Sequence, residues 1–276
     1  MHLILLHKIK SLGAIAKDAV FPARCCGCGR LFHLKRAQKT SGQEYPPADQ
    51  CPLAILADYL CDACNRLIEP IRSPLCTHCG RPFDAPEGVD HLCGRCQQTP
   101  FDFAMARSAG LYRHAFRALI CLYKYQYRSE LAVPLSRLLW QALVMHWDPS
   151  ELDCIIPVPL HRRRLRERGF NQAELLIRLW PRFSREQGIP LGNARLENRI
   201  LVRSRYTTPQ TGLDRDQRVA NLRHAFELSD PRGIQGRRVL LVDDVLTTGA
   251  TANACARVLK KAKAASVNVL TLARAV

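Results

Sequence analysis

Four pairs of cysteines, each with two residues between its members, constrain this chain more than any other feature. They are Cys25 and Cys28, Cys61 and Cys64, Cys76 and Cys79, and Cys93 and Cys96. Two intervening residues let both thiolates of a tight turn reach one ion, and two such turns complete a tetrahedral zinc site. The spacing therefore predicts two structural Zn²⁺ sites, which stabilise a region with little apolar core of its own.

The order of the pairs leaves two arrangements open. In a sequential arrangement the first pair joins the second and the third joins the fourth; in an interleaved one the first joins the third and the second joins the fourth. The pattern CxxCGR occurs at Cys25 and again at Cys76, with Gly29 and Gly80 placed for left-handed turns. This repeat indicates duplicated ribbons, and we expect the sequential arrangement.

Other uses of the cysteines compete with zinc. The pairs are also compatible with redox work or simple packing, and sites of four cysteines also hold iron–sulfur clusters. We expect a cytoplasmic location, where reduced thiols favour metal ligation over disulfides. The remaining cysteines fall outside the pattern and are expected to be buried thiols or bystanders: Cys26, Cys51, Cys121, Cys154 and Cys255.

Charge and hydropathy narrow the classes of function. The formal net charge is +17, of which +3 lies in residues 1–100 and +14 in residues 101–276. Such an excess favours polyanionic partners, either nucleic acid or a multiply phosphorylated small molecule. The sequence has no run of roughly 18 apolar residues, so we expect no membrane span. Apolar residues between Leu5 and Ala19 recur at helical spacing and predict an amphipathic N-terminal helix.

The sequence pattern changes near residue 100, from cysteine pairs to alternating apolar runs and helical periods, which predicts a domain boundary there. Residues 1–100 hold the N-terminal helix and the double zinc-ribbon region, with a polar insertion at residues 33–58. In residues 101–276, helical periodicity covers 114–126 and 129–147. Short apolar runs predict strands at Cys154 to Val158, Ile200 to Arg203, Val239 to Asp243 and Val267 to Ala273. Strands separated by helices predict an α/β domain with a mostly parallel sheet.

The segment VLLVDDVLTTGAT at residues 239–251 is the most informative about function. Four apolar residues predict a buried strand, followed by Asp243 and Asp244. Thr247, Thr248, Gly249, Ala250 and Thr251 then open a helix, whose N-terminal N–H groups and hydroxyls favour an anion. The two carboxylates are placed to accept hydrogen bonds from sugar hydroxyls, so the unit suits a ribose 5-phosphate group. A plain turn with a threonine cap is the competing interpretation.

This segment resembles the signature of type I phosphoribosyltransferases, which bind 5-phosphoribosyl-1-pyrophosphate (PRPP) with Mg²⁺. Three further segments are similar to the ComF (competence protein F) family and its GntX-like relatives: DCIIPVPLH at residues 153–161, RLRERGFNQAE at 164–174 and TPQTGL at 208–213. The resemblance covers nearly the whole chain. It implies a zinc-binding N-terminal region, a phosphoribosyltransferase-like sheet and a part in natural transformation or the use of external DNA. The chain departs from the family in the insertion at residues 33–58.

The resemblance also implies roles for individual residues. Asp243 and Asp244 are the catalytic acidic pair, and residues 247–251 hold the 5-phosphate. Residues of the pyrophosphate loop and the mobile loop are Pro159, His161, Arg168, Asn171, Arg203, Arg205 and Gln210. Arginines at 162, 163, 164, 166 and 168 suit the charge of pyrophosphate, although an arginine run is also typical of a solvated face. In this fold class a region that covers the sheet, the hood, selects the acceptor, and the resemblance places it within residues 103–147.

Aromatic and cationic residues alternate between Tyr112 and Arg128, as in sites that stack the bases of single-stranded DNA. The candidate contacts are Arg113, Lys124, Tyr125 and Arg128. Tyr123 and Tyr127 are four residues apart, so one packed helical face explains them equally well. We expect a ComF-like DNA-handling protein that binds PRPP with Mg²⁺ and interacts with single-stranded DNA and with DNA-uptake or recombination proteins. Two alternatives stay open: a catalytic phosphoribosyltransferase resembling amidophosphoribosyltransferases, and a zinc-dependent scaffold with a vestigial phosphate site.

Overall fold

A computed structural model gives the fold of residues 22–34, 54–85, 87–126, 128–205 and 224–276. The predicted N-terminal helix, most of the insertion at 33–58, and the TPQTGL segment with Gln210 lie outside these ranges. The strands within them are β1 (Ala23–Arg24), β2 (Leu31–Phe32), β3 (Met105–Leu111), β4 (Cys154–Pro157), β5 (Arg195–Leu196), β6 (Leu201–Arg203), β7 (Phe226–Leu228), β8 (Arg238–Leu246) and β9 (Ser266–Arg274).

The helices of the same ranges alternate with these strands after residue 100. They are α1 (Asp62–Arg66), α2 (Gly94–Gln98), α3 (His114–Tyr125), α4 (Ala132–His146), α5 (Arg162–Arg168), α6 (Gln172–Ile177), α7 (Trp180–Gln187) and α8 (Ala250–Lys261). The helices expected at 114–126 and 129–147 are confirmed as α3 and α4. A 3₁₀ turn at Ser129–Leu131 precedes α4, and Pro134 lies in the first turn of that helix, where proline is tolerated.

A parallel sheet in the order β3-β9-β8-β4-β5 forms the centre of the fold. It confirms the predicted α/β class and three of the predicted strands; β3 and β5 were not predicted. Pro157 of β4 lies opposite Val242 of β8, so the carboxyl ends of both strands adjoin. Ligands of open α/β sheets bind at this edge.

One predicted strand has the wrong place in the topology. β6 pairs antiparallel with β7 in a separate two-stranded sheet, with Leu201 opposite Leu228. Leu201 is buried, whereas Val202 is exposed and Arg203 is half-buried. A strand of the parallel sheet would be covered on both faces. The exposed Val202 and the partner β7 place this strand on the surface instead.

Helices cover both faces of the sheet. Leu240 and Val242 face a core that includes Trp140 and residues of α3, α4, α6 and α7. Val239 and Leu241 face the opposite way, into a core built with α8. This alternation follows the two-residue period of a strand. No helix among the residues described combines the length and apolar character that a membrane span requires.

Candidate functional site

The turn from β8 into α8 has the geometry of an anion-binding loop. Gly249 is the N-cap of α8 with φ of 80°, a left-handed conformation that favours glycine. The Thr248 hydroxyl oxygen accepts a hydrogen bond from the Ala250 N–H at 3.3 Å. The first N–H groups of a helix have no acceptor within the helix, and the helix dipole makes this end positive. The loop 247–251 therefore has the chemistry of an anion site, and phosphate binding by it stays a prediction.

The predicted acidic pair lies beside this loop, near the end of β8. One carboxylate oxygen of Asp243 accepts a hydrogen bond from the Asp244 N–H at 2.8 Å. Burial, together with the neighbouring Asp244 charge, raises the pKa of Asp243 from 3.8 to about 7. A ligand that brings hydroxyl donors or a cation to Asp243 would favour its ionised form. The acidic pair is thus placed to recognise a hydroxylated or cation-bearing ligand.

Lys124 occupies this cleft rather than an open surface. Its ammonium lies 2.7 Å from a carboxylate oxygen of Asp244, and the two side chains are 13% and 14% exposed. Burial lowers the pKa of Lys124, but Asp244 outweighs that effect and the pKa is raised. Lys124 is therefore paired with Asp244 inside the cleft, because α3 turns this side chain towards β8, and its expected part in DNA binding stays a prediction.

The turn after β4 forms the opposite wall of the cleft. Asn171 donates a hydrogen bond from its amide to the Val158 carbonyl at 3.1 Å and accepts one from the Ala173 N–H at 3.1 Å. It thereby caps α6 and fixes the turn at the same time. Arg168 donates to the Gln172 side chain at 3.2 Å. Pro159, Arg168 and Asn171 all line the cleft, as the resemblance implies.

The cleft has a volume of about 390 Å³ and carries an excess of positive charge. Four cationic side chains line it, against the two aspartates: Lys124, Arg164, Arg168 and Arg203. The Arg203 guanidinium lies 5.4 Å from the centre of the Phe226 ring. Burial, with the nearby Arg164, lowers the pKa of Arg203. Arg164 belongs to the arginine run that suits the charge of pyrophosphate, and its spacing of four residues from Arg168 places both on one face of α5.

Some predicted residues do not meet the others in the cleft. The His161 ring nitrogen accepts a hydrogen bond from the Arg163 N–H at 3.2 Å and so caps α5. His161 and Arg205 are absent from the described lining of the cleft, and Gln210 lies beyond the described ranges. Their roles in the pyrophosphate and mobile loops stay predictions.

The candidate DNA contacts lie in different surroundings. Arg113 forms a surface ion pair with Glu69 at 3.7 Å, and Arg128 pairs with Glu130. Tyr125 is 62% exposed at the mouth of the cleft, where the Arg168 guanidinium lies 5.0 Å from its ring centre. Tyr125 is therefore the candidate best placed to stack on a base.

Both predicted metal sites are formed, in the sequential arrangement. The thiol sulfurs of Cys25, Cys28, Cys61 and Cys64 lie within 4.8 Å of one another, and so do those of Cys76, Cys79, Cys93 and Cys96. Each set offers the four thiolates of a closed tetrahedral zinc site. An equivalent backbone hydrogen bond is present in each site. The Cys61 N–H donates to the Cys25 sulfur at 3.3 Å, and the Cys93 N–H donates to the Cys76 sulfur at 3.4 Å.

These backbone donors favour the thiolate form that zinc requires. Burial raises the pKa of the Cys25 and Cys76 thiols, but the backbone N–H groups outweigh it and lower both values to about 6. Burial raises the pKa of Cys64 and Cys96, which face the other sulfurs. The residues present therefore fit a cation at each site, because a bound Zn²⁺ keeps all four sulfurs ionised.

The second set of cysteines lies against the anion-binding loop through residues that the sequence did not single out. Arg95 of α2 donates to the Thr248 carbonyl. Arg274, at the end of β9, donates to the Leu246 carbonyl at 3.1 Å, to the Thr247 carbonyl, and to the Cys79 sulfur at 3.8 Å. The sequence does contain an indication of Arg274. A charged residue at the end of an apolar parallel strand is typical of a site at the carboxyl edge of the sheet.

Comparison with known families agrees with this architecture. Residues 195–275 match the phosphoribosyl transferase domain, and residues 45–97 match the double zinc ribbon domain. The second match begins after Cys28, so the geometry alone assigns Cys25 and Cys28 to the first site. The chain is thus a phosphoribosyltransferase-fold protein that carries a double zinc ribbon.

Individual relatives narrow this class. The chain is 36% identical over 226 residues to DNA utilization protein YhgH of Salmonella typhi and 35% identical over 227 residues to competence protein F of Haemophilus influenzae, covering 81% of this chain and 93% of either relative. It is 27% identical to competence protein ComFC of Bacillus subtilis, over 78% of this chain and 84% of that protein. The chain belongs to the ComF family.

Proposed function

We propose that the cleft binds PRPP together with Mg²⁺ and that the protein uses this site in the uptake or utilisation of external DNA. The observation that carries the proposal is the meeting of an acidic pair, an anion-binding loop and four cationic side chains at the carboxyl end of β8. The role in DNA handling rests on relatives named for competence and for DNA utilisation.

Each part of PRPP has a partner of suitable chemistry in the cleft. Asp243 and Asp244 accept hydrogen bonds from the ribose hydroxyls, while the N–H groups and hydroxyls of residues 247–251 hold the 5-phosphate. Arg164, Arg168 and Arg203 face the pyrophosphate. The carboxylates and the phosphate oxygens are hard ligands of the kind that Mg²⁺ prefers, and the ion would neutralise part of the pyrophosphate charge. Lys124 has to share or release Asp244 when the ribose binds.

The proposal is tested by calorimetric titration of the zinc-loaded full chain with PRPP and Mg²⁺. We expect saturable binding in the wild type and none in Asp243→Asn with Asp244→Asn, because an amide is a weaker acceptor and leaves no negative charge for a cation. Zinc content and far-UV circular dichroism should stay the same in the double variant.

Glu151→Gln provides a control, since Glu151 is an exposed acid in a 3₁₀ turn away from the cleft. Unaltered PRPP binding by the double aspartate variant would overturn the assignment of the site. Absence of binding by a folded, zinc-loaded wild type would overturn the proposed ligand and favour a scaffold role.

Whether PRPP is consumed is a separate question. In a transfer reaction the bond from the anomeric carbon to the pyrophosphate oxygen breaks, a bond from that carbon to the acceptor forms, and pyrophosphate leaves. The cleft supplies position and charge neutralisation for such a step. Release of pyrophosphate in a screen of nitrogen acceptors identifies a transferase; binding without release indicates that PRPP acts as a signal or structural ligand.

Single-stranded DNA is the partner we propose for the exposed face around Tyr125. The supporting observation is the exposed Tyr125 ring beneath the Arg168 guanidinium, next to a domain with a large excess of positive charge. Tyr125→Ala should weaken DNA binding about tenfold or more, and affinity should fall steeply with salt. Val133→Ala, at an exposed apolar residue of α4, is the control. Equal affinity in wild type and Tyr125→Ala would remove Tyr125 from the interface.

We also propose that the protein works in the cytoplasm with zinc in both cysteine sites. The four sulfurs of each site lie within 4.8 Å of one another, as metal ligation requires, and thiolate ligands persist in a reducing compartment. Metal analysis of the purified chain should find about two zinc ions per molecule and no iron–sulfur absorbance.

A further inference from the structure

The cysteine site formed by Cys76, Cys79, Cys93 and Cys96, called here the second zinc site, is joined to the loop 247–251 by a buried guanidinium. Arg274 is 3% exposed. One of its nitrogens, Nη1, donates to the Leu246 and Thr247 carbonyls, and the other, Nη2, donates to the Cys79 sulfur. One rigid, planar group therefore fixes the start of the loop relative to a metal ligand.

A buried cation needs a counter-charge, and the second zinc site supplies it. A zinc ion held by four thiolates has a net negative charge, so the Cys79 sulfur is an anionic acceptor for Arg274. Within the residues described, no carboxylate pairs with Arg274 in its place. The position of the guanidinium, and with it the two loop carbonyls, thus depends on an occupied site.

Two further contacts join the same parts of the molecule. Arg95, which lies between Cys93 and Cys96, donates to the Thr248 carbonyl. The Phe101 ring packs so closely under Gly249 that a Cβ atom there would lie 2.9 Å from the ring. Residues 246 to 249 are therefore contacted in turn by Arg274, by Arg95 of the second ribbon (residues 75–96) and by Phe101 just after it.

The other cysteine site, formed by Cys25, Cys28, Cys61 and Cys64 and called the first zinc site, lies against α3. A Cβ atom on Gly27 would lie 2.9 Å from the Cys64 sulfur and 3.1 Å from Ala115. The Cys26 N–H donates to the Tyr59 carbonyl at 2.9 Å, within the ribbon itself. Within the described residues, the hydrogen bonds of Cys25, Cys28 and Cys61 stay inside the first ribbon.

We propose that zinc in the second site sets the conformation of the loop 247–251 and that Arg274 is the positioning residue that transmits it. The first zinc site has no such effect. The affinity for PRPP should then depend much more on the second site than on the first, a consequence that rests on the proposed function. The conformation of the loop depends on the second site whether or not PRPP is the ligand.

The chain offers a matched pair of variants for the test, Cys61→Ser and Cys93→Ser. Each cysteine is a half-exposed ligand at the N-cap of a five-residue helix. Each variant of the full chain should lose about one zinc ion. Hydrogen exchange of amides 246–251 should accelerate in Cys93→Ser and stay at the wild-type rate in Cys61→Ser. PRPP with Mg²⁺ should bind about tenfold or more weakly to Cys93→Ser and within about twofold to Cys61→Ser.

Arg274→Met separates the guanidinium from the metal. It should retain both zinc ions and still accelerate exchange in the loop. Arg107→Met is its control, because Arg107 joins the second ribbon to β3 through the Thr77 and Ala106 carbonyls and does not contact the loop. If Arg274→Met does not fold, Arg95→Met is the substitute, and its faster exchange is expected to be confined to residues around Thr248.

Unchanged exchange in both Cys93→Ser and the arginine variant would overturn the inference. Equal acceleration in Cys61→Ser and Cys93→Ser would also overturn it, since general destabilisation would explain both. A wild type that binds no PRPP would refute the proposed function and leave the exchange rates to decide the coupling. The two failures are therefore distinguishable.

Discussion

The two CxxCGR turns at residues 25–30 and 76–81, called here the two zinc knuckles, have the same chemistry and different surroundings. In the first, the Cys25 N–H donates to the Arg30 carbonyl at 2.8 Å; in the second, the Cys76 N–H donates to the Arg81 carbonyl at 2.8 Å. Gly29 and Gly80 are both left-handed, with φ of 76° and 65°. A Cβ atom on Gly29 would meet no atom within 4 Å, whereas one on Gly80 would lie 2.5 Å from the Ala106 carbonyl. Repeated sequence thus gives a repeated turn, and the neighbouring strand β3 decides what the turn does.

The cores under the two ribbons differ in the same way. Leu56, Leu60 and Ile68 of the first ribbon belong to the large core under α3 and α4. The buried cluster of the second ribbon consists of three of its own cysteines, with Phe83 and Phe101 packed against them, and Leu75 is a further buried residue. The first ribbon therefore has apolar support apart from its metal, and the second depends on its metal and on its contacts with the sheet.

Removal of zinc should destabilise the two ribbons by different amounts, and this is the largest effect that we expect. Chelation should unfold residues 25–96 before the sheet, because structural zinc contributes about 10 kcal/mol to a small site. Within that range, residues 76–96 should lose more protection than residues 54–68, which keep their apolar contacts. Hydrogen exchange with limited proteolysis measures both. A chelated protein with full far-UV signal and protease resistance would contradict the prediction.

Substitution of Gly29 and Gly80 should give the next largest difference in stability between the two zinc knuckles. Gly29→Ala should cost about 1 kcal/mol, the penalty for a left-handed residue with a side chain. Gly80→Ala should cost about 3 kcal/mol or more, because the methyl group also collides with a backbone carbonyl that cannot move freely. Chemical denaturation of the zinc-loaded variants gives both values. Equal losses would mean that the second knuckle is not held against β3.

The buried carboxyl group of Asp243, in the cleft beside the second ribbon, should make the stability of the fold depend on pH. The pKa of Asp243 is raised from 3.8 to about 7 in the folded state, so stability falls as pH rises between those values. Asp243→Asn has no carboxylate to ionise and should be more stable than the wild type at pH 8, by up to about 4 kcal/mol, and no more stable near pH 4. Thermal denaturation across this pH range provides the test, and a difference that does not vary with pH would contradict it.

The smallest effect is expected where the first ribbon meets α3 at the surface. Arg113 and Glu69 are about half exposed, at 48% and 41%, and their charged atoms are 3.7 Å apart. Arg113→Met should change the free energy of unfolding by less than about 0.5 kcal/mol. Urea denaturation at low and high salt checks this value. A loss above about 1 kcal/mol would show that the ion pair is a real support of the first ribbon.

The sequence predicts local features of this protein well. Cysteine spacing gives the eight ligands while leaving two pairings open, and the order of apolar runs and helical periods gives a parallel sheet. The segment from Val239 to Thr251 gives the strand, the acidic pair and the helix start, because each depends on residues only a few positions apart. These are the parts of the fold that short-range patterns determine.

The features that the sequence does not predict are contacts between distant segments. Lys124 alternates with aromatic residues like a DNA contact, but only the packing of α3 over β8 shows that its partner is Asp244. Arg95 and its acceptor Thr248 are 153 residues apart, and Arg274 and Cys79 are 195 apart. The strand at Leu201–Arg203 has a suitable composition, and its partner β7 follows only after a long segment. Composition and spacing contain no information on such pairs.

The position of β3 at the edge of the sheet has a consequence for synthesis on the ribosome. Its neighbour in the sheet is β9, and the Ser108 hydroxyl meets that of Thr271 across 163 residues of chain. At about 5–20 residues per second, the completed second ribbon and β3 precede their partner strand by roughly ten seconds or more. During that interval an unpaired strand edge is open to chaperones and to aggregation. The cysteines of both ribbons are therefore available to zinc before the sheet closes.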